Sequence, residues 1–132
     1  MTALLLDTTA LIDFAKRREP AYSQILNWIE AEDTLGTCAI TISEFYAGLS
    51  TQEAREWKEF VSVLVYWPIT SDAAMAAGQD RYRFARQGLA ITITDAIVAA
   101  VAREQNAVLV TANVKDYPMT DLTVFPLANN IR

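Results

Sequence analysis

Short apolar runs, too brief to be helices, alternate along this chain with longer amphipathic stretches. The first run, Ala3-Leu4-Leu5-Leu6, is apolar at every position and stops at Asp7. A strand with one wet face would alternate apolar and polar residues; this one predicts a strand buried on both faces, as in a parallel sheet covered by helices. Parallel strands need crossover connections, usually helical, and the rest of the chain supplies them. Further strands are predicted at 35–40, 65–67, 107–110 and 122–125. Helices are predicted at 10–18, where Leu11, Phe14 and Ala15 share a face, and from Pro20 through the apolar side of Ile25, Trp28 and Ile29. A Thr41–Glu44 capping box is predicted to open the next helix, which ends near Gly48. Helices at 53–64, 72–87 with Gly88 as its C-terminal stop, and 95–105 with Thr94 as N-cap complete the pattern. The expected fold is α/β with three layers and a central, mainly parallel sheet, in one domain over 1–132. No repeat, low-complexity tract or long linker divides it.

Composition narrows the chemistry. At 52% hydrophobic residues, the chain can bury a sizeable core. Its net charge of -5 argues against nucleic-acid binding by bulk charge, so any such contact must be local or helped by a cation. There is no histidine, which removes an imidazole base, a histidine-containing triad and the usual histidine zinc sites. The lone Cys38 removes disulfides and thiolate zinc sites, and reads as an inert core residue. A reducing, cytoplasmic setting is expected, because the N-terminus lacks a secretory pattern and no apolar run is long enough to span a bilayer. Carboxylates are then the leading catalytic groups, and magnesium or manganese the expected cofactor.

Open α/β sheets place ligands at the carboxyl ends of their strands. Asp7 follows the first strand, Glu44 follows the second, Asp95 begins a helix, and Asp116 lies in the loop after 107–110. Clustered like charges are costly without a cation, and phosphodiester hydrolysis uses such a cluster. Each acid also has a plainer role open to it. Asp7 could cap the first helix, Glu44 could serve the Thr41 box, Asp95 could complement its helix N-terminus, and Asp116 could be an ordinary loop acid. Thr8 and Thr111 are candidates to orient carboxylates, and Asn113 to shape a turn or hold a water. Asp72, Asp80 and Asp121 read as solvated surface. Trp28, Trp57 and Trp67 suit packing better than base stacking.

Four segments carry a family resemblance. Leu5-Leu6-Asp7-Thr8-Thr9-Ala10-Leu11-Ile12-Asp13 resembles the opening of PIN-domain proteins, especially the toxin of the VapBC type of bacterial toxin–antitoxin pair. The segments 42–49, 89–102 and 108–117 resemble that family's second, third and fourth motifs, in order and at matching spacing. The resemblance covers nearly the whole chain. It implies a five-stranded parallel sheet in an α/β/α domain, with Asp7, Glu44, Asp95 and Asp116 on the acidic positions and Asn113 where a polar or acidic residue is common. It further implies a magnesium- or manganese-dependent endoribonuclease, a homodimer, and a cognate antitoxin partner. Phe14, Tyr22 and Trp28 are candidate docking positions, with core burial as the alternative for each. RNA phosphates are expected to meet local cations: Arg81, Arg83 and Arg86 in one helix, Lys115 beside Asp116, and a second cluster at Lys16, Arg17 and Arg18. Two other functions compete with the toxin. One is a non-catalytic protein-binding module of the same fold, disfavoured by a complete acidic set; the other is a nuclease acting on DNA or in RNA maturation.

Overall fold

The computed structural model describes residues 2–127. Among them the order is β1 (Ala3–Leu6), α1 (Thr8–Ala15), α2 (Ala21–Glu30), β2 (Thr34–Thr37), α3 (Ala39–Ala47), α4 (Thr51–Val63), β3 (Val65–Tyr66), α5 (Ser71–Arg86), α6 (Ile93–Glu104), β4 (Val108–Thr111) and β5 (Val124–Pro126), with a 3-10 turn at Val114–Asp116. The strands form a single sheet in the order β3-β2-β1-β4-β5, and every pairing is parallel. This is the expected three-layer α/β architecture with five strands.

The all-apolar β1 has its predicted cause. Leu5 points into one core with Ala73, Ala77, Ala96, Ala99 and Leu109, on the α5/α6 side. Leu4 and Leu6 point into the other, with Leu11, Phe14, Ile25, Phe45 and Val110. Successive strand side chains face opposite ways, so a strand covered on both faces must be apolar at both parities. Alanines on the facing sides of α5 and α6 let those helices pack closely. The opposite layer is aromatic: Phe14 stacks on Tyr22 and Phe60, and Trp57 meets Phe14, Phe45 and Phe60 edge-on. Phe14 therefore belongs to the core, Tyr22 packs against it, and Trp28 packs on Phe125. Trp67 lies against Gly36, where a Cβ would run into its ring.

Several boundaries differ from expectation. The second strand stops at Thr37, three residues early, because Cys38 already serves as the extended N-cap of α3. Thr41 is thus inside the helix and fully buried, and no Thr41–Glu44 capping box forms. The full capping box is at Ser50 and Glu53, opening α4. Helix α6 begins at Ile93 rather than Asp95: Thr92 is extended, and its hydroxyl accepts the Asp95 amide at 3.1 Å, so Thr92 is the cap instead of Thr94. Ile29, expected on the buried side of α2, is exposed. Gly88 ends α5 with a left-handed φ of 81°, as its position predicted. None of the helices among the described residues is long and apolar enough to cross a membrane.

Asp80 is the main correction. Read from sequence as solvated, it is 2% exposed in the middle of α5. Arg83, one turn on, bonds its Oδ1, and Arg103 of α6 bonds its Oδ2 at 2.6 Å. Arg103 also reaches Asp121 at 3.1 Å, so the cluster ties α5 and α6 to the β4–β5 loop. Asp121 is accordingly paired as well, although largely exposed, while Asp72 is exposed in the first turn of α5. The helical repeat that put Ala73 and Ala77 inward carries Asp80 inward too, and the arginines make that burial tolerable.

Candidate active site

Strand β1 sits at the centre of the sheet, with β2 on one side and β4 on the other. The chain leaves β1 toward β2 and returns later to β4, so the carboxyl ends of β1 and β4 form the switch point where ligands of such sheets bind. Asp7 stands there. Its amide donates to the Val110 carbonyl at 3.0 Å, extending the β1–β4 ladder by one residue. Its side chain caps α1 by accepting the Ala10 amide on Oδ1 at 2.9 Å. The capping role is real, yet it occupies only one of the two oxygens.

The same Oδ1 accepts the Thr9 hydroxyl at 2.6 Å, while Oδ2 accepts the Tyr117 hydroxyl at 3.1 Å. Thr9 in turn accepts the Ala112 amide at 2.9 Å and lies 3.3 Å from the Thr111 hydroxyl, which locks α1 to the end of β4. Asp7 is 3% exposed. Burial pushes its carboxyl above the usual carboxylate range, against the opposing pull of Thr111, Thr9, the Ala10 amide and Tyr117.

The other three acids arrive from separate elements. Asp95 is the third residue of α6, half-buried, with Oδ1 at 3.4 Å from the Tyr117 hydroxyl. Its carboxyl is also raised, first by burial and then by the charges of Asp116, Asp7 and Glu44. Glu44 sits on the exposed side of α3 and accepts the Thr8 hydroxyl at 2.6 Å. Asp116 ends the 3-10 turn, where the Asn113 side-chain amide donates to its Oδ2 at 2.6 Å. The expected set therefore faces one region, linked by charge although not by mutual contact. Thr8 holds a carboxylate as anticipated, and Asn113, expected to shape a turn or hold a water, instead grips Asp116. Thr111 is buried, supports Asp7 from beside Thr9 and accepts the Asn113 amide.

Sequence reasoning missed Thr9 and Tyr117. Both lie within the segments that carry the family resemblance, two residues after Asp7 and one after Asp116, and that proximity was the available signal. Tyr117 is 5% exposed; burial first, then the charges of Asp7 and Asp95, raises its phenol far above the ordinary value, so it stays a protonated donor.

No lysine or arginine among the described residues pairs with these four acids; the ion pairs belong to Asp13, Asp80 and Asp121. As placed, no three acidic, cysteine or histidine side chains among the described residues close on a point tightly enough to cage a metal by themselves. The donors nonetheless suit a hard cation. Carboxylate oxygens are what magnesium and manganese take, and magnesium keeps several waters rather than needing an all-protein cage. The excess of like charge, uncompensated by any ion pair among the described residues, favours such an ion.

The three α5 arginines expected to grip RNA have intramolecular partners. Arg81 donates to the Ile91 carbonyl at 2.8 Å, Arg83 pairs with Asp80, and Arg86 donates to and lies over Tyr82. Lys115 is exposed beside Asp116. The Lys16-Arg17-Arg18 cluster follows the far end of α1, about 12 Å of helix from Asp7. A cavity of about 340 Å³ also lies away from the acids, at the start of β4, lined by Arg103, Asn106 and Asp121 among others.

A family model described as the PIN domain matches residues 4–116. Ribonuclease VapC19 of Mycobacterium tuberculosis is 32% identical over 118 residues, covering 87% of this chain and 92% of that protein. Ribonuclease VapC2 of Rickettsia felis is 25% identical over 118 residues, covering 86% and 88%. Among solved structures, the DNA-bound VapBC of Salmonella typhimurium matches with a TM-score of 0.81 at 22% identity, over 97% of this chain and all of that one. VapBC2 of Rickettsia felis, bound to a promoter DNA fragment, matches at 0.80 and 21% identity, over 95% and 98%. At those identities the structural likeness speaks for the fold.

Proposed function

The chain belongs to the PIN-domain family, and from that premise we propose that it is a divalent-cation-dependent endoribonuclease, the toxin of a toxin–antitoxin pair. One observation carries the reading: Asp7, Asp95, Asp116 and Glu44 converge at the switch point of the sheet with no cationic side chain paired to them among the described residues.

Asp7, Asp95 and Asp116 would hold a magnesium or manganese ion, with Glu44 at the exposed rim. When bound, the ion supplies positive charge at the substrate phosphate and makes a water a better nucleophile near neutral pH. Glu44, steadied by Thr8, orients that water and receives its proton. Attack forms the new P–O bond and breaks the bond to the 3′ oxygen, which takes a proton from solvent, leaving a 5′-phosphate and a 3′-hydroxyl. Lys115 and the α5 arginines are proposed to meet backbone phosphates, which positions RNA without reading its sequence.

Purified protein incubated with total RNA should cleave only when magnesium or manganese is added, and the mapped ends should carry 5′-phosphate. Undiminished cleavage in excess chelator, or 2′,3′-cyclic phosphate ends, would defeat the chemistry. A cognate antitoxin is part of the proposal, supported by the VapBC complexes in which proteins of this fold occur; a homodimer is proposed as well, because symmetric dimers are the commonest oligomers. Co-expression with a neighbouring small gene should yield a stable complex, and light scattering of the chain alone should give the mass of a dimer.

A further inference from the structure

Asp7 offers any ligand only part of its carboxylate. Oδ1 accepts two hydrogen bonds, from the Thr9 hydroxyl at 2.6 Å and the Ala10 amide at 2.9 Å. A carboxylate oxygen has two lone-pair sites, so Oδ1 is saturated. Oδ2 accepts the Tyr117 hydroxyl at 3.1 Å, and the Thr111 hydroxyl also bears on the carboxyl. The same phenol oxygen lies 3.4 Å from Asp95 Oδ1. A phenol has a single hydrogen, so the shorter contact takes the donation and the longer one sets the spacing between the two carboxylates. The ring holding this oxygen is buried and belongs to the α5/α6 core, the same cluster as Ala96, Ala99, Leu109 and Met119. The oxygen therefore cannot drift as a surface hydroxyl would.

We propose that Tyr117 is a positioning residue that, with Thr9, makes Asp7 a one-oxygen ligand at a fixed spacing from Asp95 and so selects a small octahedral cation over calcium. This rests on the cation-dependent reading of the site and deepens it by naming what sets the choice of ion. Magnesium demands near-ideal octahedral geometry from single oxygens, whereas calcium takes six to eight oxygens and often both oxygens of one carboxylate. A carboxylate whose second oxygen is already filled denies calcium that mode. Neither Tyr117 nor Thr9 need touch the ion to do this.

Binding of Mn²⁺, followed by its electron paramagnetic resonance signal with magnesium or calcium as competitors, tests the idea without any cleavage assay. Magnesium should displace manganese from the parent protein at least about 10-fold more effectively than calcium, within the range that outer partners of metal ligands command. Tyr117→Phe should keep its circular dichroism in chelator, bind manganese about 10-fold more weakly and lose most of the magnesium preference. Thr9→Ala should narrow the preference from the other side, by improving calcium. A parent that binds no manganese defeats the cation reading itself, and this inference with it. A parent that binds manganese but prefers calcium overturns the inference alone. So does an unchanged preference in folded Tyr117→Phe; if that variant does not fold, an unchanged preference in Thr9→Ala overturns it equally.

Discussion

Asp7 and Asp80 are buried to nearly the same degree, 3% and 2% exposed, and they are solvated in opposite ways. Each oxygen of Asp80 meets an arginine, and one of those arginines is shared with Asp121. The oxygens of Asp7 meet two hydroxyls and one amide, all neutral, while Asp95, Asp116 and Glu44 add like charge nearby. A buried charge answered by opposite charge within the chain holds elements together. A buried charge answered only by dipoles, among other acids, is what the proposed cation from outside would neutralise. Burial alone therefore does not separate a structural carboxylate from a functional one; its partners do.

The contrast is open to attack by exchanging charge for an uncharged isostere on each side. The largest effect is expected at Asp7. In folded Asp7→Asn, cation-dependent RNA cleavage should fall by at least about 100-fold, since even the outer partners of metal ligands command about 10–100-fold. Asp95→Asn should follow it. Full activity in either folded variant would place the chemistry elsewhere.

Asp80→Asn should fail in the other currency. It leaves Arg103, whose side chain is 18% exposed, facing a neutral amide. Breaking a buried pair costs about 3–5 kcal/mol, and the exposure of Arg83 puts this case at the lower end, about 3 kcal/mol. Urea denaturation should show that loss, with cleavage per folded molecule little changed. A loss under about 0.5 kcal/mol, typical of surface substitutions, would erase the distinction between the two carboxylates.

A smaller effect sharpens the comparison through pH. The carboxyl of Asp7 is raised on folding by burial, and that of Asp95 by burial and neighbouring acids. A raised folded value favours the protonated form in the native state. Its contribution to stability is thus full below the unfolded value, about pH 4, and is lost as pH rises through the raised one. In chelator, thermal stability should decline over that window. Asp7→Asn should flatten the decline, and added magnesium should reverse it in the parent. A parent whose stability in chelator is level or rising with pH there would contradict this. The smallest effect belongs to Asp121→Asn, at most about 1 kcal/mol, because that partner of Arg103 is 66% exposed.

Much of this was legible without coordinates. The five strands and their mainly parallel arrangement follow from features that a linear pattern carries well: apolar runs, their spacing and the longer amphipathic stretches between them. Helix starts were less legible. Thr92 and Thr94 are equally good caps by type, and the choice between them depended on which one stayed extended as the chain came off Ile91, itself buried against the α5/α6 core. Likewise Glu44 in a Thr-Ile-Ser-Glu string looked like a capping acid, but its partner is Thr8, 36 residues away on another helix.

By itself, then, the amino-acid sequence determined the layered α/β plan, the absence of imidazole and thiolate chemistry, and the acids available for a site, because hydrophobic period and residue type are local properties. Only the tertiary structure decided what each polar group answers to. Tyr117 meets Asp7 across 110 residues, Ala112 meets Thr9 across 103, and Arg103 meets Asp80 across 23. A hydroxyl or guanidinium can satisfy many partners, and nothing in its own neighbourhood selects one. The selection comes when both faces of the sheet are covered and water is excluded, since a buried polar atom left unpaired is costly and most are then paired with whatever the packing has brought beside them.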